Sequence, residues 1–201
     1  SLKGRLSLEP VQPKSIQFGI GQPMKVDLFR PPQVTVAGLH IQPEPVAVAD
    51  FTLQRMISGE ACDGILGMDS LRHYVVVLDF PKKQIEFWQS TPPSRDQGTV
   101  SFPMKSVGKR FQVLAQINGI RDVSLFVDSG SNSSLSLGTE DWEQILTPPE
   151  RAKAVRTLLS SANNRVIESK ITRIRSFALG SSEHINLIAP RLTEGKSSTL
   201  G

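Results

Sequence analysis

Leu125-Phe126-Val127-Asp128-Ser129-Gly130 is the stretch on which the reading of this chain turns. Three apolar residues run straight into an acid, and the acid is followed by a hydroxyl and a glycine. At the end of a strand, that order presents a carboxylate at a bend instead of burying it. Gly130 permits a sharp turn with close backbone approach, and Ser129 is placed to hydrogen-bond within the loop and hold it rigid. Asp, Ser and Gly are also common in ordinary polar turns, so the surrounding sequence has to decide.

Immediately upstream, Phe111, Val113, Ala115 and Ile117 alternate with Gln112 and Gln116, as a half-buried strand does. Asn118-Gly119 then supplies a two-residue hairpin signal before Val123–Val127. Two strands joined by a tight turn therefore lead into Asp128. Downstream, Thr147-Pro148-Pro149-Glu150 offers an N-cap, a first-turn proline and a capping-box glutamate. The spacing of Ala154, Val155, Leu158 and Leu159 predicts that this helix continues until Ser160–Asn164 end it. A shorter helix is expected over Glu140–Leu146. Nearer the N-terminus, Gln33–Val36, Pro45–Ala49, Tyr74–Phe80 and Gln84–Trp88 are short strand-like runs, the last two joined by a turn at Pro81-Lys82-Lys83. Thr91–Gly98 is polar and proline-bearing and reads as a linker.

The 15 Gly and 14 Pro residues punctuate short apolar runs, a composition that favours an all-β fold with one or two short helices. A length of 201 residues allows one large domain or two small ones. The net charge of +4 is scattered among acids, and no basic stripe is interleaved with aromatic residues, so nucleic acid is not expected as a partner. No apolar run approaches the roughly 20 residues that span a bilayer, so the visible chain is expected to be soluble. Ser1 is not an initiator methionine, which is compatible with removal of a targeting segment and with export. Cys62, the single cysteine, forms no intrachain disulfide and is expected to be a small buried hydrophobe. His40, His73 and His184 lack ligand spacing, so neither a metal nor another cofactor is predicted. Trp88 and Trp142 are expected to pack in the interior. Gly19-Ile20-Gly21 lacks the third glycine and following helix of a phosphate loop.

One order of segments occurs twice. Val34-Thr-Val-Ala-Gly-Leu39, Val46-Ala-Val-Ala49 and Asp63-Gly-Ile-Leu-Gly67 are matched by Ile174-Arg-Ser-Phe-Ala-Leu-Gly180, Ile185-Asn-Leu-Ile-Ala189 and Ser198-Thr-Leu-Gly201. With Asp128-Ser129-Gly130, these segments resemble the retropepsins, the retroviral-type aspartic proteases and their bacterial relatives. In that family an apolar-apolar-Asp-(Thr/Ser)-Gly loop carries the catalytic acid, a glycine-rich hairpin forms a flap, and an apolar-apolar-Gly segment packs under the loop. The resemblance implies a retropepsin-like acid protease barrel in two related modules. It assigns catalysis to Asp128, loop support to Ser129 and Gly130, a substrate-binding flap to Gly19, Ile20 and Gly21, and the under-loop segment to Ile65, Leu66 and Gly67. Leu71–Phe87 also resembles the closing hairpin of bacterial members.

The order of these parts departs from the family. Residues 1–96 read as the flap-to-C-terminal part of a first module, and residues 97–201 as a second module that carries Asp-Ser-Gly and is truncated at its end. The chain is therefore expected to be part of a longer tandem protein. The chemistry that the resemblance implies needs two carboxylates, one from each module, sharing one proton. Asp63, Asp69 and Asp79 precede no Ser/Thr-Gly pair, so the second acid is expected from upstream sequence or another chain, in a pseudo-dimer of modules or a homodimer. The expected activity is hydrolysis of peptide bonds in a peptide or protein substrate. The alternative is an inactive module that binds peptides or dimerises, and a β-rich adaptor unrelated to proteases is the third reading.

Overall fold

The computed structural model describes residues 8–11, 14–16, 24–41, 45–52, 55–56, 59, 63–90, 100–160, 166–192 and 196–201. The expected flap residues Gly19, Ile20 and Gly21, Cys62 and the 91–98 linker lie outside them. The chain is mostly strand with a few short helices, as its composition predicts. It divides into two compact units, one drawn chiefly from Gln22–Gln97 and the other from Gly98–Ser161 and Arg165–Gly201.

The first unit is a set of two-stranded ladders. Strands β1 (Lys14–Ile16) and β2 (Met24–Val26) pair antiparallel, with Ile16 opposite Met24. Strand β3 (Leu28–Phe29) pairs with β6 (Val46–Ala47), and β4 (Val34–Val36) with β5 (Leu39–Ile41). Val26, Leu28, Phe29 and Ile41 are buried there. A single-turn helix α1 (Met68–Leu71) precedes the hairpin of β7 (Val75–Asp79) and β8 (Gln84–Trp88), whose turn falls at the expected Pro81-Lys82-Lys83. Lys83 takes a left-handed φ of 54°, and Asp79 Oδ1 accepts a bond from the Lys82 amide at 3.0 Å. The Tyr74 ring meets Phe87 edge-on at 6.3 Å, and its hydroxyl donates to the His40 carbonyl at 3.2 Å.

The second unit is an eight-stranded sheet. Strand β9 (Lys105–Val107) edges β10 (Arg110–Ile117), which pairs with β11 (Ile120–Val127) through the Asn118-Gly119 turn. Both turn residues have positive φ, 49° and 86°, as a tight hairpin turn of this hand requires. Strand β12 (Leu135–Ser136) is followed by α2 (Thr139–Ile145) and α3 (Pro148–Ala152). Then come β13 (Val155–Ser160), the long β14 (Val166–Leu179), β15 (Ser182–Pro190) and β16 (Thr199–Leu200). The main path runs β12-β16-β11-β10-β14-β13, and β15 pairs with β14.

The inward faces of these strands make one core. Val113, Ala115 and Ile117 alternate inward from β10, and Val123 and Leu125 from β11, joined by Leu135, Leu137, Trp142, Ile145, Leu146, Ile174 and Phe177. Trp142 is only 2% exposed, a packing residue as expected.

The helix predicted to run from Thr147 to about residue 159 is corrected. Its start stands: Glu150 closes on Thr147, accepting from that amide and hydroxyl at 2.8 Å each. Its end does not. The helix stops at Ala152, and Val155–Ser160 form a strand paired residue by residue with Ile171–Val166. Val155, Thr157 and Leu159 alternate as well as Val155, Leu158 and Leu159 fit a helical face. Six ladder pairs with β14 outweigh the weak helical preference of β-branched Val155 and Thr157.

Arg151 ties α3 to α2 by donating to the Leu146 and Glu143 carbonyls at 2.5 and 2.7 Å, and Glu150 pairs with Arg175 of β14 at 2.9 Å. The Thr147 amide and hydroxyl hold the Glu150 carboxyl below its ordinary pKa, with Arg175 adding to the effect. The stability that Glu150 confers is therefore present above the ordinary carboxylate value of about 4.3 and is lost as pH falls through the depressed folded value. Glu150→Ala is predicted to cost about 1 kcal/mol at neutral pH, the typical value of a lost cap. Urea denaturation at about pH 7 and pH 3 should show the gap between variant and parent closing at the acid end. A gap of the same size at both pH values would contradict this role.

Candidate active site

Asp128 sits where β11 ends, and its position follows from strand order. Strand β16 lies between β11 and β12, parallel to β11 with Val127 opposite Leu200, and antiparallel to β12 with Leu135 opposite Leu200. The Phe126 amide donates to the Ser198 carbonyl at 2.9 Å and the Asp128 amide to the Leu200 carbonyl at 2.8 Å. The apolar residues before the acid are thus sheet and core: Leu125 is fully buried and Phe126 8% exposed. The strand then breaks, and Asp128 emerges half-buried while Ser129 and Gly130 are exposed.

The loop closes on its own acid. The Gly130 amide donates to Asp128 Oδ1 at 3.1 Å, and the Ser131 amide donates to the Asp128 carbonyl at 3.0 Å. Among the described residues, Oδ2 takes no hydrogen bond. Gly130 has a φ outside the left-handed region, so its contribution here is the unhindered amide. The intraloop hydroxyl expected of Ser129 is supplied by Ser131, which donates to the Ser133 carbonyl and accepts from the Ser133 amide, both at 3.1 Å. Gly201 closes the floor, donating its amide to the Ser134 carbonyl at 3.2 Å. A Cβ at Gly201 would collide with the Ser133 carbonyl and the Ser131 side chain, so this position demands glycine.

Of the expected under-loop residues, Ile65 is 64% and Leu66 37% exposed, and Gly67 precedes α1 in the first unit. In the second unit the segment beneath Asp128 is Thr199-Leu200-Gly201. Its approach is anchored by Ser198, which is fully buried. The Ser198 hydroxyl accepts from the Gly138 amide at 2.8 Å and donates to Asp141 Oδ2 at 2.5 Å. That one side chain links β16 to the start of α2.

Arg110 is the neighbour that reading the sequence did not find. Its guanidinium lies 3.6 Å from the centre of the Phe126 ring. Burial lowers the pKa of Arg110, and the charge of Asp128 opposes that shift. Lys196 is lowered by burial and then by the positive charge of Arg110. One cation, Arg110, therefore neighbours the acid, and Lys196 in turn neighbours Arg110. The signal was in the register. The pairs Gln112–Phe126, Val113–Leu125 and Leu114–Ser124 extend to Arg110 opposite Asp128, but only because the register shifts next to Asp122, which has a φ of 59°. A turn at Asn118-Gly119 without that bulge would oppose inward Val113 to an outward residue, so the apolar alternation of both strands already requires it.

The other acids considered lie in the first unit. Asp63 pairs with Arg55 at 2.5 Å, Asp79 pairs with Lys82 at 2.8 Å, and Asp69 lies in the first turn of α1. Among the described residues, no group of three or more His, Cys, Asp and Glu side chains is placed to hold a metal. No helix among them is long and apolar enough to cross a membrane.

The chain is similar to the crystal structure of a retropepsin-like aspartic protease from Rickettsia conorii, at 18% identity and a TM-score of 0.40, over 51% of this chain and 81% of that one. No family model matches the chain. No curated protein matches it either.

The floor under Asp128 yields a direct test. Ser198→Ala leaves the Gly138 amide and Asp141 without their buried partner, a loss expected to cost about 1–3 kcal/mol. It should also raise hydrogen exchange at the Phe126 and Asp128 amides, since their acceptors lie in the segment that Ser198 anchors. Unchanged exchange at those two amides would show that β16 is held by other means.

Proposed function

We propose that this chain is part of an aspartic-type endopeptidase in which Asp128 is one of two paired carboxylates. The observation that carries the reading is the presentation of Asp128. Its backbone is tied to Leu200, one carboxylate oxygen is fixed by the Gly130 amide, and the other is free of protein partners among the described residues. A polar turn with no further role has no need of a strand inserted beneath it.

In this reading a second acid, from another module of the same kind, faces Asp128 across a two-fold axis. Two carboxyls about 3 Å apart cannot both ionise cheaply, so the pair shares one proton and titrates as a unit. The ionised member takes a proton from a bound water, whose oxygen attacks the scissile carbonyl carbon. The protonated member donates a hydrogen bond to the carbonyl oxygen, and collapse of the tetrahedral adduct returns a proton to the leaving amine. No bond to the protein forms. Ser129 and Gly130 belong to the loop that positions the acid. Gly19, Ile20 and Gly21, in the span between paired strands β1 and β2, would close over a peptide and exclude water. The β13–β14 hairpin would be the flap of the second module. Ile65, Leu66 and Gly67 would pack under the Asp loop of another module, in keeping with the exposed Ile65 side chain.

A second reading, a module that binds peptides or dimerises without turnover, is favoured by one fact: the sequence contains a single Asp-Ser/Thr-Gly segment. One experiment separates the two. The full chain, incubated with a mixed peptide substrate between about pH 3 and pH 8, should cleave with an acidic optimum and be inhibited by pepstatin. Asp128→Asn should lower the rate by about 10²–10⁴-fold, the usual worth of a positioned acid–base group. Cleavage that is unchanged in Asp128→Asn refutes the peptidase reading, and saturable peptide binding without turnover supports the second.

A further inference from the structure

A row of cations crosses three strands of the second unit at one level. Arg156 of β13 is directly opposite Lys170 of β14. On the other side of Lys170, the β14–β15 register continues from the Ile171–Pro190 pair to Arg191, whose amide donates to the Lys170 carbonyl at 2.8 Å. Directly opposed residues point to the same face of a sheet with Cβ atoms about 4.5–5.5 Å apart, and like charges placed so destabilise it. The three side chains line a recess of about 400 Å³ shared with Thr139, Glu168 and Ser169.

The compensation inside this recess is incomplete. Glu168 pairs with Arg156 at 3.5 Å, with both side chains largely exposed. Among the described residues, neither Lys170 nor the Arg191 guanidinium has a carboxylate partner. The two hydroxyls are committed to backbone acceptors, Thr139 to the Leu192 carbonyl at 3.4 Å and Ser169 to the Arg191 carbonyl. The Arg191 Nε–H is buried with no hydrogen-bond partner, one of only two such side-chain atoms among the described residues. A buried donor of this kind is costly unless a partner from outside the chain accepts its bond.

We propose that Arg156, Lys170 and Arg191 form a site for a compact, doubly charged oxyanion, a phosphate group either free or as a small monoester. Net charge sets the class: three cations against one carboxylate leave two positive charges, which a dianion neutralises and a single carboxylate does not. The planar guanidinium forks of Arg156 and Arg191 supply paired donors, and Lys170 supplies a point charge between them. The recess is large beside the roughly 30 Å³ of one water, so a phosphate enters with part of its hydration shell. A dianion there would tie β13 to β14 and to the end of β15, next to the Val155–Ile171 pair that closes the base of the β13–β14 hairpin. This site does not depend on the peptidase reading.

The test is an amide-resolved NMR titration of the full chain with inorganic phosphate, phenyl phosphate and acetate at matched ionic strength. Inorganic phosphate should give saturable shifts at residues 156, 169–170 and 191, and acetate should bind at least tenfold more weakly. Tighter binding of phenyl phosphate identifies a monoester as the ligand, and equal or weaker binding identifies free phosphate. Arg191→Gln should weaken binding about tenfold, one charge-assisted hydrogen bond's worth. Because Arg191 is half-buried, the exposed Lys170→Gln serves as the second variant, with the same expected loss and an unchanged fold. Non-saturable shifts, acetate binding as tightly as phosphate, or full affinity in Lys170→Gln would each overturn the proposal, leaving a water as the partner of Arg191 Nε.

Discussion

The insertion of β16 between β11 and β12 is the constraint on which the candidate site rests. Neither neighbour is close to β16 in sequence, so the pairing is bought with loop-closure entropy and must be repaid by what it buries. Leu125 and Leu135 are fully buried beside it, and Leu200 packs against the same core. Ser198, also fully buried, replaces lost water contacts with two hydrogen bonds to the α2 end. The result is a backbone floor beneath the point where β11 stops. Asp128 is rigid because its amide is already committed to that floor, and its carboxylate is accessible because the strand has ended.

The same economy explains the loop. A carboxylate at a strand end needs at least one donor to fix its orientation without neutralising it. The Gly130 amide provides that donor at the cost of no additional side chain. Ser131 then braces the far side of the turn from within, through Ser133, and the Gly201 amide ties that side to the floor at Ser134. Arg110, lying on Phe126, brings a positive charge near the acid without a direct bond being needed to place it. The guanidinium stays protonated throughout any relevant pH range, so it acts as a fixed charge.

Much of this arrangement could be read from the residues, and the failures have physical causes. Alternation in Phe111–Ile117 and the Asn118-Gly119 turn identified the hairpin because a two-residue turn with positive φ leaves few alternatives. The capping box at Thr147–Glu150 identified a helix start, since its signal is local. The helix end was not legible. Residues 153–160 fit both periods over so short a run, and pairing with β14, a long-range contact, decides between them. The hydrogen bonds of the Ser131 hydroxyl to Ser133 were not legible beside Ser129, because hydroxyl partners depend on where the loop turns. Arg110 was hidden by a one-residue bulge, although the parity of Val113, Ala115, Val123 and Leu125 around a two-residue turn required one. Ile65 and Leu66 illustrate the opposite limit. The motif Ile-Leu-Gly is plain in the sequence, but a segment of that kind acquires its role from the loop it packs against, and Ile65 is 64% exposed.

The proposed chemistry needs Asp128 to be one of a water-activating pair of carboxylates. The most direct measurement is a crystal structure of the protein with a peptide in which the scissile carbonyl is replaced by a secondary alcohol. The alcohol oxygen should lie within about 2.6–3.2 Å of Asp128 Oδ2, with a second aspartate from a facing module on its other side. A peptide seated away from Asp128, or an alcohol with no second acid in reach, would contradict it.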